Sequence, residues 1–442
     1  MPANDCAHEY VGRLPLLVLV LSMLLLLVLG VPVGYAIGIS SLLYVVLVSD
    51  MSPLVIVQQI SSGADTMVLL ALPFFLLAGE IMNAAGITKR LTRLALAFVG
   101  PLPGGLSYVV VLANMLVAMV SGAAIASAAA VGSTMVPMME KKGYPKGFAA
   151  AVNAASATIG PVIPPSIGFI IYASVSGVSV GKLFLAGTLP GILIAVAIMV
   201  VCAVVARRAG HPRGERHRFG EVAESLWAAL PGLLMPVIIL GGIFGGLVTP
   251  TEAGVLAVAY GLAIGLFVYR SLRIADLPRI LLITARRSTA ILFIIACASC
   301  FGFLISREVD AEIFVEFFQI VTRQRWLMLL LLIGLILLLG TVMEGGSIMI
   351  ILTPLLLPVL ASYQVDPVHF GVVFQLAIMI GLLTPPVGIL LFVMAGVSQV
   401  SVKSILANLW PFYLALTAVT LIAAYVPDLS LWLVDLWGGQ IK

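Results

Sequence analysis

Two short segments of this chain carry backbone chemistry that suits ion binding inside a membrane, and they lie 221 positions apart. They read IGPVIPP at 159–165 and IGLLTPP at 380–386. Consecutive prolines cannot continue a helix, because each ring lacks an N–H and clashes with the carbonyl one turn back. The freed backbone groups must be satisfied by protein, ion or water when the break lies in an apolar run. Each double proline therefore predicts a broken helix with a binding site near the membrane midplane.

Two other apolar stretches break at small or polar residues. The stretch 105–139 breaks at Ser121-Gly122, and the stretch 326–360 breaks at 340–346. Their arms run roughly 14 to 17 residues, which is short of the ~20 that a membrane crossing requires. We therefore expect two re-entrant hairpins. A hairpin tip that meets a broken helix presents carbonyl ends, which suit Na⁺, and helix N-termini, which suit a carboxylate.

The candidate site residues share small side chains, hydroxyl or amide oxygens, or free backbone groups at these breaks. The predicted cation contacts are Ser121, Gly122, Asn153, Gly160, Pro164, Gly340, Thr341, Glu344, Gly381 and Thr384. The predicted substrate contacts are Ser121, Pro165, Ser166, Thr341, Pro386 and Gly388. Taken singly, each has an alternative role, because small residues often serve helix packing and hydroxyls often bond back to their own helix.

Glu344 needs a specific reason to lie in an apolar run, because a charge at the bilayer centre costs at least ~3 kcal/mol. It could bind a cation, carry a coupling proton, or cap the second arm of its hairpin, where a carboxylate complements the helix dipole. Of these, capping or an indirect role near the ion is favoured over direct coordination.

The elements that position these residues are predicted by composition and hydropathy. Of 442 residues, 62% are hydrophobic and 10% are charged, and apolar runs of membrane length recur from Leu14 to Val426. The chain is therefore predicted to be an all-α polytopic membrane protein, since no segment alternates as a transmembrane β-barrel requires. The predicted spans are 14–30, 32–48, 66–85, 143–176, 182–206, 225–249, 251–269, 286–305, 367–397 and 403–425.

Basic residues fix the topology. The loops at 89–93, 141–146, 207–218 and 270–287, with Lys403, hold 17 of the 23 lysines and arginines. The positive-inside rule places them in the cytoplasm, so that both termini face outward. The first hairpin then opens from the cytoplasm and the second from outside. The halves are thus inverted repeats, as Pro137 and Pro358 also indicate at the same spacing of 221.

This topology predicts five segments along the chain. They are scaffold helices with an interfacial arm (1–104), transport elements (105–206), a basic cytoplasmic linker (207–224), a second scaffold and arm (225–325), and second transport elements with a tail (326–442).

Enzymatic functions find little support in the sequence. No predicted span carries an aspartate at its centre, the four histidines fall in tails or loops, and no phosphate-binding P-loop occurs. The net charge of +4 follows from the cytoplasmic loops and does not indicate nucleic acid. We therefore expect that this chain is not an enzyme and needs no cofactor, and that Na⁺ is its coupling ion.

Four segments resemble the large membrane subunit of tripartite ATP-independent periplasmic (TRAP) transporters. They are 121–138, beginning SGAA and ending VPM; 157–166, ATIGPVIPPS; 73–80, PFFLLAGE; and 352–358, LTPLLLP. The resemblance implies an Na⁺-coupled elevator in a bacterial inner membrane that imports organic acids such as C4-dicarboxylates. It also implies two partners, a small four-helix membrane subunit and a periplasmic substrate-binding protein.

Two rival functions remain open at this point. One is a stand-alone Na⁺–dicarboxylate symporter of similar repeat architecture, and the other is a channel or structural membrane subunit. Reconstitution in liposomes distinguishes these functions, because a stand-alone symporter needs no binding protein and a channel needs no Na⁺ gradient.

Overall fold

A computed structural model describes residues 18–214, 219–308 and 311–437 of this chain. Within these ranges no β-strand forms, and an isolated bridge pairs Pro103 with Arg213. The predicted all-α class is confirmed. The first-half helices are α1 (Val18–Val28), α2 (Val33–Leu47), α3 (Leu54–Ala64), α4 (Met67–Ala84), α5 (Ile87–Val99), α6 (Gly105–Ser121), α7 (Ala124–Lys141), α8 (Lys146–Ala157), α9 (Ile167–Ser176) and α10 (Val180–Ala209).

The second-half helices follow the same order. They are α11 (Phe219–Phe244), α12 (Pro250–Ala263), α13 (Leu277–Glu308), α14 (Ala311–Val321), α15 (Arg325–Gly340), α16 (Gly345–Ser362), α17 (Pro367–Gly381), α18 (Ile389–Ser398), α19 (Val402–Tyr425) and α20 (Asp428–Trp437).

Seven helices of the described ranges are long and apolar enough to cross a membrane by length and composition. Six of them lie at predicted spans, and the seventh is α16, which the sequence assigns to the second hairpin. The predicted spans 14–30 and 32–48 correspond to the shorter helices α1 and α2. The spans 143–176 and 367–397 are each built from two short helices around a break, as the double prolines predict.

One helix was not expected from the sequence. The segment between 48 and 66 forms α3, which packs against α13. Its polar residues, among them Gln58 and Ser61, hide the helical pattern from a search for apolar runs. At the matching place in the second half, α13 runs unbroken for 32 residues, whereas α3 and α4 are separated by a break at Asp65 and Thr66.

Each half turns from its scaffold helices into its hairpin through an amphipathic arm. The first arm is α5, whose Arg90 stacks on the ring of Tyr269 at 3.7 Å and whose Arg93 pairs with Glu224 at 3.1 Å. The second arm, α14, is bent by 110° from α15. A bend this large lets the arm lie along the membrane surface while the hairpin enters the membrane.

The halves are interlocked where their broken helices meet. On one side α9 packs against α17, and the Tyr172 hydroxyl donates to the Pro367 carbonyl at 2.8 Å. On the other side α8 packs against α18, and the Asn153 amide contacts the Met394 sulfur at 3.0 Å. Each broken helix is therefore supported by the broken helix of the other repeat.

The predicted linker is shorter than the sequence indicates. Helix α10 includes Arg207 and Arg208, and α11 begins at Phe219, while 215–218 lie outside the described residues. The ring of His211 lies 4.5 Å from the ring of Tyr144 and 5.0 Å from that of Phe148. The linker therefore docks on the turn between α7 and α8. The five-segment division of the chain stays a prediction.

Exposed apolar side chains form the outer surface of this bundle. On α10 they recur every fourth residue, at Ile192, Val196, Val200 and Val204. A single helical stripe of this kind is what a lipid-facing helix presents to acyl chains.

Candidate ion and substrate site

The first junction is the contact between the tip of the α6–α7 hairpin and the α8–α9 break. Gly122 ends α6 in a left-handed conformation, with φ +61°. A Cβ added there would lie 2.7 Å from the Pro165 carbonyl oxygen. A Cβ added at Gly160 would lie at van der Waals distance from the tip, 3.4 Å from the Ala118 Cβ and 3.6 Å from the Ala123 carbonyl carbon. The structure therefore brings Gly122, Gly160 and Pro165 together at the first junction, while their role in binding stays a prediction.

Hydroxyl groups at this junction differ in their hydrogen bonding. The Ser121 hydroxyl is buried and has no partner among the described residues. Ser166 caps α9, since its oxygen accepts the Phe169 N–H at 3.2 Å, and it donates to the Pro161 carbonyl at 2.5 Å. The Ser121 hydroxyl can therefore use both its proton and its lone pairs to bind a ligand. The Ser166 hydroxyl already uses its proton and one lone pair to stabilise the α8–α9 break.

Asn153 lies deeper in the bundle than the tip. Its carbonyl oxygen accepts from the Asn114 amide at 2.9 Å, and its own amide donates to the Ala128 carbonyl at 2.8 Å. These bonds tie α8 to both arms of the first hairpin. Asn153 therefore positions the junction, and any ion contact would have to use the second lone pair of its oxygen.

The second junction joins the α15–α16 hairpin to the α17–α18 break. The Thr341 carbonyl accepts the N–H groups of Val387 and Gly388 at 3.1 and 3.2 Å. The hydroxyls of Thr341 and Thr384 both donate back to their own chain, to Leu338 and Ile380 at 2.8 Å. As donors, these hydroxyls still have lone pairs that can face a cation.

The two double prolines have different surroundings. Pro164 and Pro165 are buried, while Pro385 and Pro386 are exposed. Both Pro-Pro peptide bonds are cis. The inverted repeats therefore share their local geometry but not their environment.

Glu344 occupies the N-cap position of α16, but its side chain makes no capping hydrogen bond. Glu344 therefore stands where a carboxylate can complement the dipole of α16, but without the hydrogen bond of a cap, and an indirect role near the ion stays a prediction. The residue lines a cavity of about 390 Å³ between the two hairpin tips, together with Gly122, Arg287, Ser347 and Gln375. Glu344 is thus an acidic group in the wall of a ligand-sized space.

Arg287 on α13 is one of the cavity residues that the sequence does not predict. It pairs with Glu80 of α4 and also lines the cavity between the tips. Because α13 begins at Leu277, Arg287 lies about 15 Å along the helix and not in a loop. Glu80 was the available signal, since a carboxylate in an apolar helix requires a partner.

The predicted substrate contacts do not line this central cavity. Ser121 lines a smaller cavity of about 40 Å³ beside it, with Glu80, Asn83 and Arg287. Of the predicted cation contacts, Gly122 and Glu344 reach the central cavity. The remaining site residues stay predictions at the two junctions.

The chemistry available at the junctions favours a hard cation. Within the described ranges, no three His, Cys, Asp or Glu side chains lie close enough to hold a metal ion together. The available ligands are hydroxyls, an amide, Glu344 and backbone carbonyls, which are the oxygen ligands that hard cations prefer.

Comparison with known families matches nearly the whole chain. The model of the "Tripartite ATP-independent periplasmic transporter, DctM component" matches residues 20–429. YgiK of Salmonella typhimurium, named an uncharacterized protein, is 42% identical over 96% of this chain and 98% of its own. The 2,3-diketo-L-gulonate TRAP transporter large permease protein YiaN of Escherichia coli is 36% identical over 90% of this chain and 94% of its own.

The fold also has a likeness among solved structures. The YdaH transporter of Alcanivorax borkumensis superposes with a TM-score of 0.65, covering 96% of this chain and 99% of its own at 15% identity. At that identity the likeness concerns the fold alone.

Proposed function

This chain belongs to the DctM component family of tripartite ATP-independent periplasmic transporters, a multi-pass protein of the bacterial inner membrane, and we propose that it imports an organic acid by coupling to Na⁺. The observation that carries the proposal is the cavity between the hairpin tips, whose wall holds Arg287. A guanidinium binds a carboxylate with two parallel hydrogen bonds, so it suits the acid group of such a substrate.

Coupling to Na⁺ is supported by the two junctions that flank this cavity. At the first junction the Ser121 hydroxyl lacks a partner among the described residues, and at the second the Thr341 and Thr384 hydroxyls act as donors and keep free lone pairs. An ion bound at either junction would hold a hairpin tip against its broken helix. Loss of the ion would then loosen a wall of the cavity, which links ion binding to substrate binding.

An elevator is the movement that this architecture favours. The broken helices support each other across the repeats, so they can move as one body. The cavity has its other wall on α13, a scaffold helix in our division of the chain. Displacement of the inner elements along α13 would carry the cavity from one side of the membrane to the other.

Two partners are part of the proposal, a small four-helix membrane subunit and a periplasmic substrate-binding protein. Organic acids are the proposed substrates, since the relative YiaN is named for 2,3-diketo-L-gulonate. No catalytic role is proposed. The rivals are a stand-alone Na⁺–dicarboxylate symporter and a channel or structural subunit.

Proteoliposomes provide the test. The chain is reconstituted with both partners, and uptake of radiolabelled organic acids is measured with and without an inward Na⁺ gradient. We expect uptake that requires both the gradient and the binding protein. Uptake by the chain alone would overturn the tripartite assignment. Uptake that does not depend on the Na⁺ gradient would favour a channel.

A further inference from the structure

Two polar groups in the central cavity have no hydrogen-bond partner and were not among the predicted site residues. Gln375 of α17 and Ser347 of α16 are each only 2% exposed, and both line the cavity between the hairpin tips. The Gln375 amide oxygen and the Ser347 hydroxyl are buried without partners among the described residues. Leaving a buried polar group unpaired is costly, so groups of this kind need an explanation.

The backbone around Gln375 is shaped to admit its amide. Gly168, in the first turn of α9, lies directly against the Gln375 amide oxygen, and a Cβ at Gly168 would collide with it. Both residues line the cavity. The first repeat thus leaves room, by having glycine at this place, for a polar side chain from the second repeat.

The four polar side chains of the cavity differ in what they can bind. Arg287 offers only donors, and Glu344 and the Gln375 oxygen offer acceptors, while Ser347 offers both. A carboxylate satisfies Arg287 but has no proton for Gln375. The uncharged amide oxygen and hydroxyl suit a neutral donor, and a hydroxyl group is the neutral donor that organic acids most commonly carry.

We propose that Gln375 and Ser347 select organic acids that carry hydroxyl groups, in preference to acids without hydroxyls. The inference rests on the proposed function, because it concerns the same cavity. Gln375 accepts from a substrate hydroxyl, Ser347 donates to or accepts from another, and Arg287 holds the carboxylate. A site built for a hydroxyl discriminates strongly against analogues that lack it, since its own polar groups would stay unpaired.

Binding to the purified full chain tests this selection. Apparent affinities come from the ligand-dependent rise in unfolding temperature at saturating Na⁺. The probes are two matched pairs, gluconate with hexanoate and malate with succinate. We expect the hydroxylated acid of at least one pair to bind about tenfold tighter or more, by at least one buried hydrogen bond.

Variants then assign the preference to the amide. Gln375→Met removes the acceptor at similar volume and should abolish the preference, with the hydroxyl-free acid affected less than about twofold. Gly168→Ala displaces the amide oxygen without removing it and should weaken binding of the hydroxylated acid. Gln58→Met, at an exposed position on α3, is the matched control and should change neither affinity.

The outcomes separate this inference from the proposed function. Equal affinities within both pairs, each reduced by Arg287→Gln, would overturn hydroxyl selection and leave an organic-acid transporter. A preference that survives in Gln375→Met would overturn the role of Gln375. Binding of none of the four acids would overturn the inference, and the uptake assay would then decide the fate of the proposed function on its own.

Discussion

Gly381 of α17 touches Gly340 of α15, since a Cβ added to Gly381 would lie 2.7 Å from the Gly340 Cα. No side chain separates the second hairpin from the second broken helix at this point. The backbone carbonyls of both can therefore approach the same ligand.

A methyl group at Gly381 should separate the two helices. We expect Gly381→Ala to destabilise the protein by about 1–3 kcal/mol, the usual cost of overpacking a tight contact. The measurement is the unfolding temperature of the purified chain. Gly302→Ala is the control, because Gly302 lies in helix α13 with open space around its Cα, and alanine there should be neutral or stabilising. Equal unfolding temperatures for the two variants would contradict the contact.

Ser121→Ala should weaken Na⁺ coupling. The Ser121 hydroxyl is buried and unpaired, so its removal costs the protein little unless an ion uses it. Loss of one ligand to a charge should raise the Na⁺ concentration for half-maximal uptake roughly tenfold or more. Ser133→Ala is the control, because Ser133 is exposed on α7 and bonds back to Ala130 at 3.0 Å. Wild-type Na⁺ dependence in Ser121→Ala would remove this residue from the site.

Glu344→Gln tests whether this carboxylate carries a coupling proton. The side chain makes no capping bond and lines the central cavity, so a charge role remains for it. If it carries a proton, Glu344→Gln should change the pH dependence of uptake between about pH 6 and 8, since glutamine cannot titrate. Uptake that keeps its wild-type profile over this range would argue against a proton role and leave an indirect role near the ion.

Arg287→Gln should reduce substrate binding more than Glu80→Gln does. Arg287→Gln removes the guanidinium from the cavity wall. Glu80→Gln leaves the guanidinium in place but removes its carboxylate partner. We expect KM for the transported acid to rise about tenfold or more in Arg287→Gln, by the loss of a charge-assisted hydrogen bond. Arg279→Gln, exposed on the same helix, should behave as wild type. An unchanged KM in Arg287→Gln would place the carboxylate elsewhere.

The linker segment around His211 should dissociate from Tyr144 and Phe148 in mild acid. Burial against Tyr144 and Phe148 lowers the pKa of His211 below its usual 6.5. Its neutral form is thus favoured when docked, and docking is fully stable above about pH 6.5 and weakens as pH falls through the lowered pKa. Hydrogen exchange of residues 100–104, corrected for intrinsic rates, should increase between pH 7.5 and 5.5. His211→Phe keeps the ring contacts and should lose this pH dependence, and its persistence in that variant would exclude His211.

Local rules were enough to predict the breaks, and tertiary contacts decided what was missed. Double prolines interrupt any helix, so the two helix breaks can be located from their own residues. The tip at Gly122 can be located because small and polar residues interrupt the apolar stretch 105–139 there. The pairing of Glu80 with Arg287 depends on how α4 and α13 pack, which no local pattern encodes. Gln375 was missed for a related reason, because a single amide in an apolar run carries no spacing signal.

The charge count that predicts the topology also obscures a candidate site residue. Arg287 was assigned to a cytoplasmic loop because basic residues cluster there, but α13 begins ten positions earlier. Helix α3 escapes prediction for a different reason, since its polar residues interrupt any apolar run of membrane length.

The contacts between the repeats make the two halves of this chain dependent on each other. Tyr172 reaches Pro367, and Asn153 reaches Met394, so each repeat completes the other. A single repeat would have half of each support and would need a second, oppositely inserted copy to close its own site. The two halves of this chain are therefore expected to depend on each other, and a cut between the repeats would remove half of each support.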